Sequence, residues 1–133
     1  MTSFVLDNSV AMRWCFESGA HLMRIRFSTG WRPATRPWWF YEASAVLSRA
    51  QNIGTLTASK AAAFITELKS LNIIADDAGI ARVLTDVHRM ALSYRLTSYD
   101  AAYLELATRL NLPLATLDDE LIRAAGAAGI PVL

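Results

Sequence analysis

The chain has 133 residues, 53% of them hydrophobic and 19% charged, with a formal net charge of +1. That length suits one domain burying roughly two-thirds of its unfolded surface, and the balance excludes a disordered tail or a global attraction to nucleic acid. A single cysteine, Cys15, excludes an internal disulfide, and no signal peptide or run of roughly 18 apolar residues for a membrane span is expected, which fits a cytoplasmic protein.

Phe4, Val5 and Leu6 form a short apolar run that reads as a buried strand. Asp7 follows at once, and Asn8-Ser9 can open a helix near Ser9–Glu17, with Ala11, Trp14, Cys15 and Ser18 on one packed face. Ser18-Gly19 ends it. Residues 20–36 are irregular. Met23, Ile25 and Phe27 alternate with Arg24 and Arg26 before Gly30, Pro33 and Pro37, and only a short strand around Ala34–Arg36 suggests itself. Pro37 starts a helix to about Ala50, with Trp39, Ala43, Val46, Leu47 and Ala50 as its apolar face and Glu42 beside that face. Thr57 caps a helix carrying Ala61, Phe64, Ile65, Leu68 and Leu71 at helical spacing. Ile73–Ala75 reads as a strand. Ile80, Leu84, Val87, Ala91 and Tyr94 mark the next amphipathic helix. Thr97 to Asp100 opens another, with Leu104, Ala107 and Leu110 inward. Strand Leu114–Leu117 follows, then Asp118, a helix to about Ala128 and a closing strand Ile130–Leu133. This alternation predicts an α/β fold with a parallel sheet covered on both faces.

The chemistry lies in the acids. Asp7 and Asp118 each follow an apolar strand, and parallel strands end on the same edge, where ligands of open α/β sheets bind. Asp100 and Glu42 lie early in helices that begin at that edge. Each acid alone has an ordinary explanation: Asp7, Asp100 and Asp118 as helix-terminus residues, Glu42 as a solvated one. Together they pose an electrostatic problem. Four carboxylates about 5 Å apart repel by roughly 3 kcal/mol per pair at an effective dielectric near 20, so six pairs approach about 20 kcal/mol, above the roughly 5–15 kcal/mol that stabilises a domain. A divalent cation relieves this without changing protonation, and an all-oxygen set favours Mg²⁺ or Mn²⁺. His21 and His88 lack zinc-like spacing to each other or to Cys15. A phosphatase using Asp7 as nucleophile needs a phosphate-binding lysine, and the chain offers only Lys60 and Lys69, both in one helix.

The ordered set of segments resembles the PIN-domain ribonucleases, and within them the VapC-type toxins of bacterial toxin–antitoxin pairs. The segments are Phe4-Val5-Leu6-Asp7-Asn8-Ser9, Trp39-Phe40-Tyr41-Glu42-Ala43, Ser98-Tyr99-Asp100-Ala101-Ala102-Tyr103, Leu114-Ala115-Thr116-Leu117-Asp118 and Ala128-Gly129-Ile130-Pro131. No single one is specific; their order is. The resemblance implies a three-layer α/β/α sandwich, Mg²⁺- or Mn²⁺-dependent endoribonuclease activity, a homodimer and an antitoxin partner. It also implies Asp7, Glu42, Asp100 and Asp118 as the acidic site, with Asp7, Asp100 and Asp118 on metal and Glu42 handling water. Ser9 and Thr116 stand nearby, and Asp119 is an alternative to Asp118. Residues 20–36 depart from the family's amphipathic helix. Their Arg24, Arg26, Arg32 and Arg36, with Trp31, suggest either an RNA-gripping patch or a solvated or dimer-facing segment. The competing reading of the whole chain is a non-catalytic binding module.

Overall fold

The computed structural model describes residues 2–16 and 32–133. Strands are β1 (Thr2–Leu6), β2 (Arg32–Thr35), β3 (Ile74–Ala75) and β4 (Leu114–Ala115). Helices are α1 (Asn8–Phe16), α2 (Trp39–Asn52), α3 (Ala58–Ser70), α4 (His88–Tyr94), α5 (Ser98–Leu110) and α6 (Asp119–Ala127). A 3-10 turn (Ala78–Arg82) and a π-helical turn (Val83–Val87) lead into α4. The expected end of α1 at Ser18-Gly19, the alternation around Arg24 and Arg26, and Trp31 lie outside the described residues.

Among those residues the sheet has four parallel strands in the order β3-β2-β1-β4. Helices cover it as the outer layers of an α/β/α sandwich. On one side α1 packs on α2 and α2 on α3; elsewhere α5 packs against β1, α4 and α6. The central strands are apolar because both faces are covered: Phe4, Val5, Leu6, Leu114 and Ala115 are all buried. Residues Ala101 to Ala107 of α5 are buried on every side, and their alanines let that helix sit close to its neighbours. Glu105, in the middle of that run, is the exception in chemistry.

Several sequence expectations need correction. The second strand is Arg32–Thr35, two residues earlier than Ala34–Arg36. Pro37 and Trp38 form a turn, and α2 begins at Trp39, where Trp39 donates to the Arg36 carbonyl at 3.0 Å. The fourth strand stops at Ala115, well short of Leu117. The closing strand is a single bridge between Val132 and Leu114. Ile80 and Leu84 are exposed at 64% and 87%, because a 3-10 turn followed by a π turn advances the chain by a different angle per residue than an α-helix. Leu110, expected inward, is exposed at the end of α5.

For Arg36 itself both readings of its segment need correction. It is neither an RNA-facing nor a solvated residue, but is fully buried where β2 ends. Its guanidinium lies 3.5 Å from Asp76 and 3.7 Å from Glu105, and 4.9 Å from the centre of the Trp38 ring. Arg109 bonds Glu105 at 2.9 Å and also pairs with Asp76. Burial pushes the Arg36 guanidinium below its ordinary range, while Glu105 and Asp76 oppose that shift.

Candidate acidic site at the β1–β4 crevice

The strand order places a topological switch between β1 and β4. From β1 the chain builds outward through β2 and β3, then returns to the other side of β1 to lay down β4. The carboxyl ends of two such strands open a crevice, because the connections leave them in opposite directions. Asp7 and Thr116 are the residues directly after these strands.

Pairing of β1 with β4 continues through Asp7, whose backbone N–H donates to the Ala115 carbonyl at 3.1 Å. This fixes the start of the Asp7 side chain at the sheet edge. Its Oδ2 accepts from the Thr116 hydroxyl at 2.7 Å and from the Ser9 hydroxyl at 2.8 Å. Both hydroxyls also accept. Asp118 N–H donates to Thr116 Oγ1 at 3.1 Å, and Leu117 N–H to Ser9 Oγ at 3.0 Å. Two short side chains therefore tie the Asp7 carboxylate to the loop that carries Asp118.

The ordinary cap explanation holds for Asp118 and does not exhaust it, whereas Glu42 is half-buried and not simply solvated. Asp118 is the N-cap of α6, with Oδ1 accepting from Leu121 N–H at 2.9 Å; this bond uses one of its two oxygens. At α5 the capping side chain is Thr97, which accepts from the Asp100 backbone N–H at 3.2 Å and leaves the Asp100 carboxylate to the first turn. Glu42 lies in the first turn of α2, its N–H bonded to the Trp38 carbonyl at 3.0 Å. Asp119 is exposed in the first turn of α6.

Asp7 and Asp100 lie within electrostatic reach of Glu42, and Asp118 and Asp7 within reach of Asp100. Burial first, then the charges of Asp7 and Asp100, push the Glu42 carboxyl above its ordinary range. Burial first, then Asp118 and Asp7, push Asp100 up, against a lowering bond from Thr97. Acids brought from β1, α2, α5 and the β4–α6 loop thus burden one another in a half-buried crevice. Among the described residues, no three His, Cys, Asp or Glu side chains are closed up into a metal-ligand set. The donors are nevertheless of the right kind for a hard divalent cation: carboxylate and hydroxyl oxygens, with no sulfur or imidazole recorded among them.

One neighbour escaped the sequence reading. Tyr103, on α5, is buried with its hydroxyl among the same acids. In the sequence it is only the last residue of the Ser98–Tyr103 segment, three positions after Asp100. Trp38 packs its ring against Tyr99 and Tyr103. Cys15 is half-buried, and burial first, then Glu67, pushes its thiol up.

No family model and no curated protein matches this sequence. The fold is similar to the crystal structure of PAE2754 from Pyrobaculum aerophilum, with a TM-score of 0.74 and 23% identity over 98% of this chain and 83% of that one. At that identity the likeness speaks for the fold alone. No helix among the described residues is long and apolar enough to cross a membrane.

Proposed function

We propose that the chain is a PIN-type endoribonuclease of the VapC class, hydrolysing RNA phosphodiesters with Mg²⁺ or Mn²⁺ held by Asp7, Asp100 and Asp118. The observation that carries this reading is the geometry of the β1–β4 crevice, where Ser9 and Thr116 hold the Asp7 carboxylate and tie it to the loop of Asp118, with the charges of Asp7 and Asp100 reaching Glu42 and those of Asp118 and Asp7 reaching Asp100. Carboxylates that repel one another where a sheet binds its ligands call for a mobile positive charge.

Such a cation supplies a water acidic enough to ionise near neutral pH and offsets charge building on the phosphoryl oxygens. The chain's own residues do the rest. Asp7, fixed by Ser9 and Thr116, and Asp118, fixed by its cap bond, present oxygens of set direction. Glu42, with its raised affinity for a proton, is the group suited to orient the attacking water and accept its proton. Lys60 and Lys69 are exposed on α3, which gives no support to a phosphatase reading. The same proposal includes a homodimer in the cytoplasm and an antitoxin that silences the crevice by inserting a basic side chain, since a guanidinium can pair with carboxylates in place of a metal.

The test is cleavage of RNA by the purified chain over a range of Mg²⁺ and Mn²⁺ concentrations, with Asp7→Asn as control. Metal-dependent cleavage is expected to fall roughly 10³-fold or more in that variant, several kcal/mol of lost charge stabilisation, while the melting temperature is retained. Undiminished cleavage by Asp7→Asn would sink the reading. RNA binding without cleavage at any metal concentration would favour the non-catalytic module.

A further inference from the structure

The ion pairs around Arg36 extend into one alternating run. Buried Arg36 pairs with Asp76 at 3.5 Å. Asp76 also pairs with Arg109, whose Nε donates to Glu105 Oε1 at 2.9 Å. The same oxygen lies 3.8 Å from Arg82 Nε. Arg82 donates to one oxygen of Asp86 at 2.9 Å, and the other oxygen holds Arg89. Arginine and acid alternate, and both ends are arginines. Four guanidiniums therefore meet three carboxylates, and one positive charge is left over.

That surplus borders a space. Arg82, Asp86, Arg89, Glu105 and Arg109 line a cavity of about 410 Å³ beside α4 and α5. One of its walls is unsatisfied. Glu105 is 2% exposed, yet among the described residues its Oε2 has no hydrogen-bond partner. The same holds for every guanidinium nitrogen of Arg36, whose Nη1 stands 3.7 Å from that oxygen. Buried polar atoms without partners mark a place for a water or a ligand.

The arginines set the sign of that ligand. Arg82 and Arg89 share one carboxylate, so each keeps donors for another acceptor. Planar guanidiniums pair bidentately with phosphate oxygens. Met90 and Tyr94 add apolar wall, and the volume suits a whole small molecule. Glu105 and Arg109 follow Asp100 by five and nine residues. At about 100° per residue they stand about 140° and 180° round α5 from it. The cavity thus lies on the side of α5 turned from the acidic crevice.

We propose that this cavity binds a small organic phosphate monoester, with its phosphoryl oxygens between Arg82 and Arg89. A monoester carries about 1.5 to 2 negative charges near pH 7, enough to absorb the surplus and to compete for two guanidiniums that share Asp86. The site does not depend on the nuclease reading.

The probes are adenosine 5′-monophosphate and inorganic phosphate, titrated into the metal-free protein and followed by thermal shift, with chloride at matched ionic strength as control. Both are expected to raise the melting temperature beyond chloride, the monophosphate at the lower concentration. Arg82→Gln/Arg89→Gln is expected to raise the midpoint about tenfold or more, and Asp7→Asn to leave it in place. Should the double variant fail to fold, Arg89→Gln alone changes an exposed residue and is expected to raise it about threefold. A melting temperature that only follows chloride overturns the proposal, as does a midpoint unmoved by the arginine variants. A midpoint moved as far by Asp7→Asn puts the phosphate in the crevice and overturns it too. An oligoribonucleotide without terminal phosphates that binds as tightly, and needs the same arginines, gives the cavity to a strand phosphodiester and overturns the monoester. None of these outcomes turns on whether the protein cuts RNA.

Discussion

Two groups of charged side chains stand at the carboxyl edge of this sheet. Where β2 and β3 end, Asp76 and Glu105 meet the guanidinium groups of Arg36 and Arg109. Where β1 and β4 end, Asp7, Glu42, Asp100 and Asp118 meet hydroxyls, a backbone N–H and one another. The chain does not lack cations, since 13 Lys and Arg stand against 12 Asp and Glu. The difference is one of placement. The first group silences its charge with fixed partners, as burial demands. The second, at the half-buried β1–β4 crevice, meets hydroxyls and a backbone N–H in their place.

Breaking the silenced group should have the largest effect on stability. Glu105→Ala leaves Arg36 buried with only Asp76 close by and is expected to cost about 3–5 kcal/mol, read from urea unfolding. A loss below about 1 kcal/mol would mean that water already shares that burden. Loosening the grip on Asp7 comes next. Thr116→Val removes one of its two hydroxyl donors and should raise the Mn²⁺ midpoint, followed by thermal shift, about tenfold. Removing charge from the crowded group should act in the opposite sense on stability. Asp100→Asn is expected to stabilise the metal-free protein by roughly 0.5–1 kcal/mol, discounted because this side chain is half exposed. The smallest effect is that of pH. Folded Glu42 and Asp100 hold protons at higher pH than in the unfolded chain, so the folded state binds more protons between the ordinary carboxyl range near pH 4 and their raised values. Repulsion should therefore fade as pH drops through those values and be fully present above them. The melting temperature of metal-free wild type, relative to a Glu42→Gln/Asp100→Asn variant, should rise from pH 7 to about pH 5, and saturating Mn²⁺ at pH 7 should remove the difference.

The two groups also differ in how well they could be read from the sequence. Asp7 directly follows β1, Asp118 stands three residues past β4, and Asp100 is three residues from its cap Thr97, so local pattern alone brought them to one edge. Arg36 gave no such sign. Its partners Asp76 and Glu105 are 40 and 69 residues away, and a lone arginine after a proline-broken segment looks like surface. Glu105 was hidden in the same way, as a charge in a run of otherwise apolar α5. Ile80 and Leu84 misled for a different reason. Their spacing is that of an α-helix, but the backbone there is a 3-10 turn followed by a π turn. The short strands were found, but the length of β4 was overread: it stops at Ala115, and Thr116 turns its hydroxyl to Asp7.

That turn of Thr116 has a kinetic meaning. A carboxylate free to sweep through its rotamers must be stilled when an ion arrives, and the lost freedom subtracts from affinity. Asp7 has surrendered its freedom already, clasped on one oxygen by residues 9 and 116. Capture of an ion should then resemble a key meeting a lock already cut, with on-rates governed by ion dehydration and hardly at all by protein rearrangement.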